Sequence, residues 1–242
     1  VSVTIYQVGG AVRDDLLGVQ SKDIDFAVEC SSYDEMLVWL ENAGFDIFLE
    51  QPEYMTARAR FPHNWFEFGN KNLGGVTADF VVCRTEAHYS DARHPDNVGI
   101  GTIRDDLARR DFTMNAIARR ADGSLLDPWG GQSDIERRVI RAVGDPYLRL
   151  HEDPLRALRA LRFSITKDFM IDSGLSVLIE SPELLAALVQ SVSVERIREE
   201  LFKMFKTNTP KTLSLLMNRY PLLGSMIFKN TDLWLKPTLE DR

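Results

Sequence analysis

Apolar residues at Val3, Ile5 and Val8 have the spacing of a half-buried strand, and the run stops at Gly9-Gly10. Only glycine lets the backbone take positive φ or come close to a bulky anion there. Ala11 to Leu17 reads as a short helix whose unpaired N–H groups face that turn, with Arg13 on its first turn, which makes a workable phosphate seat. Lys22 to Val28 alternates again. A period of two sends Asp23 and Asp25 to the same face of this second strand.

Ser31-Ser32 caps a helix through Asp34 to Ala43, with Met36, Leu37 and Leu40 as its apolar stripe. Strand patterns follow at Phe45 to Leu49, Met55 to Phe61, Trp65 to Phe68 and Val76 to Cys83. The pattern therefore predicts an α/β head with a mixed sheet of about five strands. Arg84 to Asn97 is polar and aperiodic and reads as a long loop. Ile103 to Ile117 reads as one helix with an apolar side and a polar side of Arg109, Arg110, Asp111 and Asn115. From Asp134 the pattern is mostly helical, with segments at Gly174 to Glu180, Pro182 to Gln190, Val194 to Phe205 and Leu213 to Leu223. The expected domains are a head over 1–133, an all-α neck over 134–207 and a short helical remnant over 208–242.

Composition narrows the picture. A chain of 242 residues with 44% hydrophobic content can bury a core. Cys30 and Cys83 lie far apart and form no CxxC pattern, so the expectation is buried thiols in a reducing compartment rather than a zinc or disulfide framework. His63, His88, His94 and His151 have no ligand spacing. No stretch spans a membrane and the N-terminus lacks signal-peptide regions, so the reading is cytoplasmic. The net charge of -7 argues against a nucleic-acid-coated protein, yet a local basic stripe can still bind RNA. Arg141 to Lys167 holds six basic residues against three acidic ones. Within it, Arg149, Arg159 and Lys167 are the candidate RNA contacts, and Arg159 and Arg162 candidate nucleotide contacts.

The chemistry suggested is a divalent-metal site beside a triphosphate cradle. Paired carboxylates suit Mg²⁺, which prefers hard oxygen ligands, and two such ions can activate a hydroxyl and stabilise departing pyrophosphate. Gly9, Gly10 and Arg13 would hold phosphates, with Asp23 and Asp25 on the metals. Asp79, within an otherwise apolar strand, is either a third acid there or a residue on the exposed sheet face. Arg110, Asp111 and Asn115 suit a ribose and triphosphate, or simply a salt-bridged surface helix. Asp153 and Arg156, three apart with Glu152 able to brace Arg156, offer an acceptor and a donor that suit cytosine and adenine but not uracil or guanine. A site of this kind rejects mismatched bases by roughly 10⁴-fold. Asp153 before Pro154 equally suits a helix N-cap.

Five blocks in order, VGGAVRD, DIDFAV, RRDFTMNAIA, EDPLRALRALRF and VERIREELFKM, resemble the bacterial-type, class II tRNA nucleotidyltransferases, whose head the bacterial poly(A) polymerases share. The resemblance covers Tyr6 to Phe205. It implies a polymerase β-like nucleotidyltransferase head, two Mg²⁺ on Asp23 and Asp25, and triphosphate binding by Gly9, Gly10 and Arg13. It also implies ribose and triphosphate contacts from Arg110, Asp111 and Asn115, and template-free base reading by Asp153 and Arg156 with Glu152 in support. The implied activity is addition of CCA, or part of it, to a tRNA 3′ end from CTP and ATP, with poly(A) addition as the alternative. No DNA or membrane partner is implied. Such enzymes usually continue into helical body and tail domains that grip tRNA, whereas this chain ends at Arg242; a second copy in a homo-oligomer could supply that grip. A noncatalytic RNA-binding remnant is the reading from another class, and it would tolerate loss of Asp23, Asp25 or Arg156, all of which are present.

Overall fold

The computed structural model describes residues 3–21, 23–65, 67–69, 71–89 and 95–230. Two compact units divide it: residues 3–88, 95–137 and 141–144 form the first, and 138–140 with 145–230 the second. The head thus runs past the expected end at 133, for a local reason. Buried Asp134 accepts from Thr113 Oγ1 at 2.7 Å and from Arg141 Nε at 3.2 Å. Gly131 packs so closely on the Thr113 carbonyl that a Cβ has no room. The helix carrying both residues is therefore sealed into the first unit.

The head is built on strands β1 (Thr4–Val8), β2 (Asp25–Glu29), β3 (Asp46–Gln51), β4 (Thr56–Arg60) and β5 (Thr77–Val82). A separate pair, β6 (Arg84–Tyr89) and β7 (Pro95–Ile100), precedes the short β8 (Ala118–Arg119) and β9 (Leu125–Leu126). The main sheet has seven strands in the order β3-β4-β5-β2-β1-β8-β9. Among the described residues of this sheet the β2–β5 pair is parallel and the other pairs are antiparallel. Helices α1 (Gly10–Leu16), α2 (Tyr33–Asn42), α3 (Ile103–Ala108) and α4 (Gly131–Glu136) complete this unit. Ser32 caps α2, its side chain accepting from the Glu35 N–H. One face of the sheet buries Phe26, Phe45, Phe61, Phe68 and Phe80 in a shared core, with Phe26 and Phe80 stacked at 5.2 Å.

Four expectations change. Where a strand was expected over Trp65 to Phe68, Trp65 and Glu67 have no strand backbone and Phe68 forms an isolated bridge with Lys71; Phe66 lies outside the described residues. The expected loop from Arg84 to Asn97 contains β6 and the start of β7, strands whose polar composition hides any alternation; His94 lies outside the described residues. The helix expected over Ile103 to Ile117 ends at Ala108 and resumes only as a 3₁₀ turn at Thr113–Asn115. In between, the Asp111 carboxylate takes the Phe112 N–H at 2.8 Å, and Thr113 N–H and Val143 N–H bond across to Arg141 and Asp111 carbonyls, so the chain pairs sideways instead of coiling. The sheet has also gained β8 and β9.

The second unit contains β10 (Val139–Ile140) paired with β11 (Met170–Ile171), and helices α5 (Pro146–Glu152), α6 (Leu155–Thr166), α7 (Ser173–Leu178), α8 (Pro182–Ser191) and α9 (Val194–Thr207). The single helix expected over Leu213 to Leu223 is α10 (Thr209–Ser214), a π-helical turn at Leu215–Arg219 and α11 (Pro221–Asn230); Trp234 lies outside the described residues. α6 buries Leu158, Leu161 and Ile165, and α9 presents Ile197, Leu201 and Met204. The two helices also share an ion pair between Arg162 and Glu200, whose side chain is 5% exposed. Removing the buried acid loses a charge-assisted hydrogen bond, so Glu200→Ala should lower stability by about 2 kcal/mol, measured by urea denaturation followed by helical circular dichroism. An unchanged midpoint would show that the pair is dispensable.

Candidate functional site

The head site begins where β1 ends. Gly9 has φ 71° and ψ -136°, a backbone state open to glycine alone, and turns the chain straight into α1. The antiparallel register sets Val8 opposite Asp25, so the first residue of β2 lies beside this turn. A Cβ on Gly9 would stand 3.0 Å from Arg110 Nη1 and 3.8 Å from Asp25 Oδ2. The turn is therefore a bare patch of backbone flanked by a guanidinium and a carboxylate.

The parallel β2–β5 register sets Asp25 opposite Asp79, and the antiparallel β4–β5 register sets Asp79 opposite Arg58. All three side chains leave the same face. Asp79 is gripped by Arg58 at 2.6 and 2.7 Å. Asp23 does not lie in the strand, contrary to expectation. It is exposed and just precedes β2, still near enough to act electrostatically on Asp25. Burial and the neighbouring charge of Asp79 push the Asp25 carboxyl above the usual range; Asp23 adds to this, while Arg110 and Arg58 oppose it.

Behind the turn, Arg13 is buried, donating to Asn115 Oδ1 at 2.7 Å and to Asp14 Oδ1 at 2.9 Å. Asn115 in turn donates to Asp111 Oδ1 at 2.9 Å. Asp111 and Asn115 do meet, although no continuous helix joins them. Gly10 lies against Arg13, a Cβ there falling 3.5 Å from Nη2. Sequence reasoning missed Asp106, 2% exposed, which accepts from Arg109 through Oδ1 at 2.5 and 3.0 Å and from Arg110 through Oδ2 at 2.8 and 3.2 Å. Its spacing of three and four from two arginines was the available signal. Burial works to raise its carboxyl pKa, but Arg110 and Arg109 outweigh that and hold it low.

In the second unit, Asp153 is not on a helix face. It ends α5 with φ -145° and ψ 98°, accepts from the Leu155 N–H at 3.1 Å, and is held by Arg196 Nη2 at 2.9 Å. Its side chain thus takes the first amide of α6, while the N-cap position itself is held by Pro154. Arg196 of α9 is its anchor. Arg156 donates to Glu152 Oε2 at 2.8 Å and to the Arg149 carbonyl at 2.9 Å, while Arg149 donates to the same Glu152 oxygen at 2.7 Å. Glu152 therefore does brace Arg156. Arg162 lies 4.0 Å and Arg159 5.8 Å from the Phe163 ring centre, and the Lys167 carbonyl accepts from Arg138 at 3.3 Å.

Residues 5–141 match the model of the poly A polymerase head domain, more than half of the chain. The chain belongs to the poly A polymerase head-domain family. Residues 181–229 of this family member match a second model, described as a probable RNA and SrmB-binding site of polymerase A. The chain is 37% identical over 206 residues to the CCA-adding enzyme of Limosilactobacillus reuteri, covering 85% of this chain and 46% of that protein. It is 38% identical over 215 residues to the CCA-adding enzyme of a Geobacillus species, covering 88% and 48%. Among solved structures, it is similar to a tRNA nucleotidyltransferase complexed with a primer tRNA and an incoming ATP analogue, with a TM-score of 0.72 and 27% identity over 94% of this chain and 60% of that one. The CCA-adding enzyme of Bacillus stearothermophilus in complex with CTP gives a TM-score of 0.71 and 31% identity over 89% and 48%. The chain spans about half the length of the curated relatives it matches. Nucleotidyltransferases of this family generally use divalent metals, and among the described residues no helix is long and apolar enough to cross a membrane.

The raised pKa of Asp25 has a thermodynamic sign. Between the ordinary carboxylate range and its folded value the native state binds the extra proton, so this contribution to stability is present at acid pH and lost as pH rises through the folded value. At neutral pH the ionised Asp25 is a net cost. Asp25→Asn should therefore melt a few degrees higher than wild type in metal-free buffer at pH 7, and the gap should close toward pH 3. Identical melting curves at both pH values would show that Asp25 is not under electrostatic strain.

Proposed function

We propose that this chain is a template-independent RNA 3′-end nucleotidyltransferase that adds CCA, or part of it, to tRNA from CTP and ATP. The supporting observation is the bare Gly9 turn between Asp25 Oδ2 and Arg110 Nη1, which offers backbone and a guanidinium to phosphates beside a carboxylate for a metal. Asp23 and Asp25 would hold two Mg²⁺, and the charge crowded on Asp25 by Asp79 and Asp23 fits a cation. Among the described residues no three candidate ligands form a cage, which suits an ion that completes its shell with water and substrate phosphate. When bound, Mg²⁺ would make the attacking hydroxyl more acidic and stabilise the charge of the departing pyrophosphate.

The protein's own groups do the positioning. Arg13, Arg110 and the Gly9-Gly10 backbone hold the triphosphate, and Asn115, which takes a bond from Arg13, serves the ribose with Asp111. The 3′ oxygen of the RNA bonds to the α-phosphorus, the bond from that phosphorus to the pyrophosphate oxygen breaks, and the hydroxyl proton goes to solvent. Asp79, already paired with Arg58, adds negative charge behind Asp25 as the third acid. Asp153, anchored by Arg196, accepts from the base, and Arg156, braced by Glu152, donates to it. Arg159 and Arg162 add nucleotide contacts, and Arg149, Arg159 and Lys167 give the RNA a basic surface. Two free, buried thiols suit a cytoplasmic setting, and a homo-oligomer could widen the grip on tRNA.

Incubating the protein and Mg²⁺ with tRNAs ending before CCA, after C and after CC, and with one labelled nucleotide at a time, should give C, C and then A. Unlimited addition of A to any RNA would instead make it a poly(A) polymerase, the activity for which its head family is described. Asp23→Ala with Asp25→Ala should reduce incorporation by at least ~10³-fold while the protein stays folded; normal turnover would end the metal assignment. Arg156→Ala should cost roughly 10–100-fold in preference for CTP and ATP over UTP and GTP, measured as relative kcat/KM. Unaltered preference would reduce Arg156 to a scaffold role.

A further inference from the structure

Asp106 has no part in the assignments above, yet it is among the most heavily bonded carboxylates of the head. Its side chain is 2% exposed and each oxygen takes two nitrogens of one arginine: Oδ1 from Arg109, Oδ2 from Arg110. With Nε and Nη2 of Arg110 committed to Oδ2, its Nη1 is left to reach the Asn115 carbonyl, at 3.4 Å, and the space above Gly9. An arginine on an exposed site samples many rotamers and loses that freedom on binding an anion. Here the loss is met on folding, because two N–H groups converging on one buried oxygen fix the plane of the guanidinium.

We infer that Asp106 is a positioning residue for nucleotide binding: by clamping Nε and Nη2 of Arg110 it aims Nη1 across the Gly9 turn, where the anionic triphosphate of an incoming nucleotide is bound. The inference rests on the proposed nucleotidyltransferase reading for the identity of the ligand. Asp106 touches no substrate itself. Its second partner, Arg109, holds the other carboxylate oxygen, Oδ1, and so fixes the carboxylate against which Arg110 is clamped.

The test is a double-mutant cycle on the full chain, read as the Kd for CTP with Mg²⁺ in the absence of RNA, beside KM and kcat with a tRNA primer. Asp106→Asn keeps the shape and removes the charge. It should weaken CTP binding and raise KM about tenfold or more, with a smaller effect on kcat. Arg110→Ala should do the same, and adding D106N to R110A should change Kd less than about twofold. A folded D106N that binds CTP like wild type, or an undiminished loss in the R110A background, overturns the inference. Should D106N fail to fold, Asp106→Glu replaces it, with the charge kept but displaced. D106E is expected to weaken binding about threefold or more at unchanged melting temperature, and wild-type affinity overturns the proposal. Failure of the wild-type protein to bind CTP would instead overturn the nucleotidyltransferase reading.

Discussion

The head depends on one pair of strand registers. Val8 stands opposite Asp25 and Asp25 opposite Asp79, which fixes two carboxylates side by side at the end of β1, where the chain must turn. Like charges so placed repel, and burial of Asp25 makes the repulsion worse. The guanidiniums around them are the compensation: Arg58 on Asp79 from the neighbouring strand, and Arg110 beside Asp25 from the far side of the Gly9 turn. The sheet core of packed phenylalanines holds this unfavourable electrostatic arrangement in place, as functional sites commonly require of their scaffolds.

Much of that was legible in the sequence because it is local. Gly-Gly after an alternating run marks the turn, the acids two apart mark the start of β2, and Ser32 followed by Glu35 marks a cap. Asp79 stood out as an acid in an apolar strand, but its pairing with Arg58 depends on a register that no single strand encodes. The interruption after α3 was hidden for a similar reason. The helical period continues through Arg109 to Ile117, and only the bonds made by Asp111 and the 141–143 segment pull the backbone away. Asn115 still finds Asp111, so the residue pair was legible while the geometry that joins it was not.

The helical unit shows the same division. Glu152 bracing Arg156 follows from a spacing of four and appears as such. Arg196 on Asp153 and Glu200 on Arg162 link α9 to residues some forty positions earlier and need the packing of α6 on α9 to exist. A buried charge pair between helices looks, in sequence, like two ordinary exposed charges, because the apolar stripe alone does not say how deep its flanks will lie.

Pro154 gives the boundary between α5 and α6 a further meaning. A proline disfavours helical backbone in the residue before it, and Asp153 is accordingly extended. Without that ring, the two helices would be free to fuse into a single rod, which would carry Asp153 round with the helical pitch, away from Arg196, and leave the Leu155 amide to an ordinary backbone partner. The kink is therefore what keeps an acidic acceptor and a basic donor, three positions apart in the chain, under the control of different neighbours.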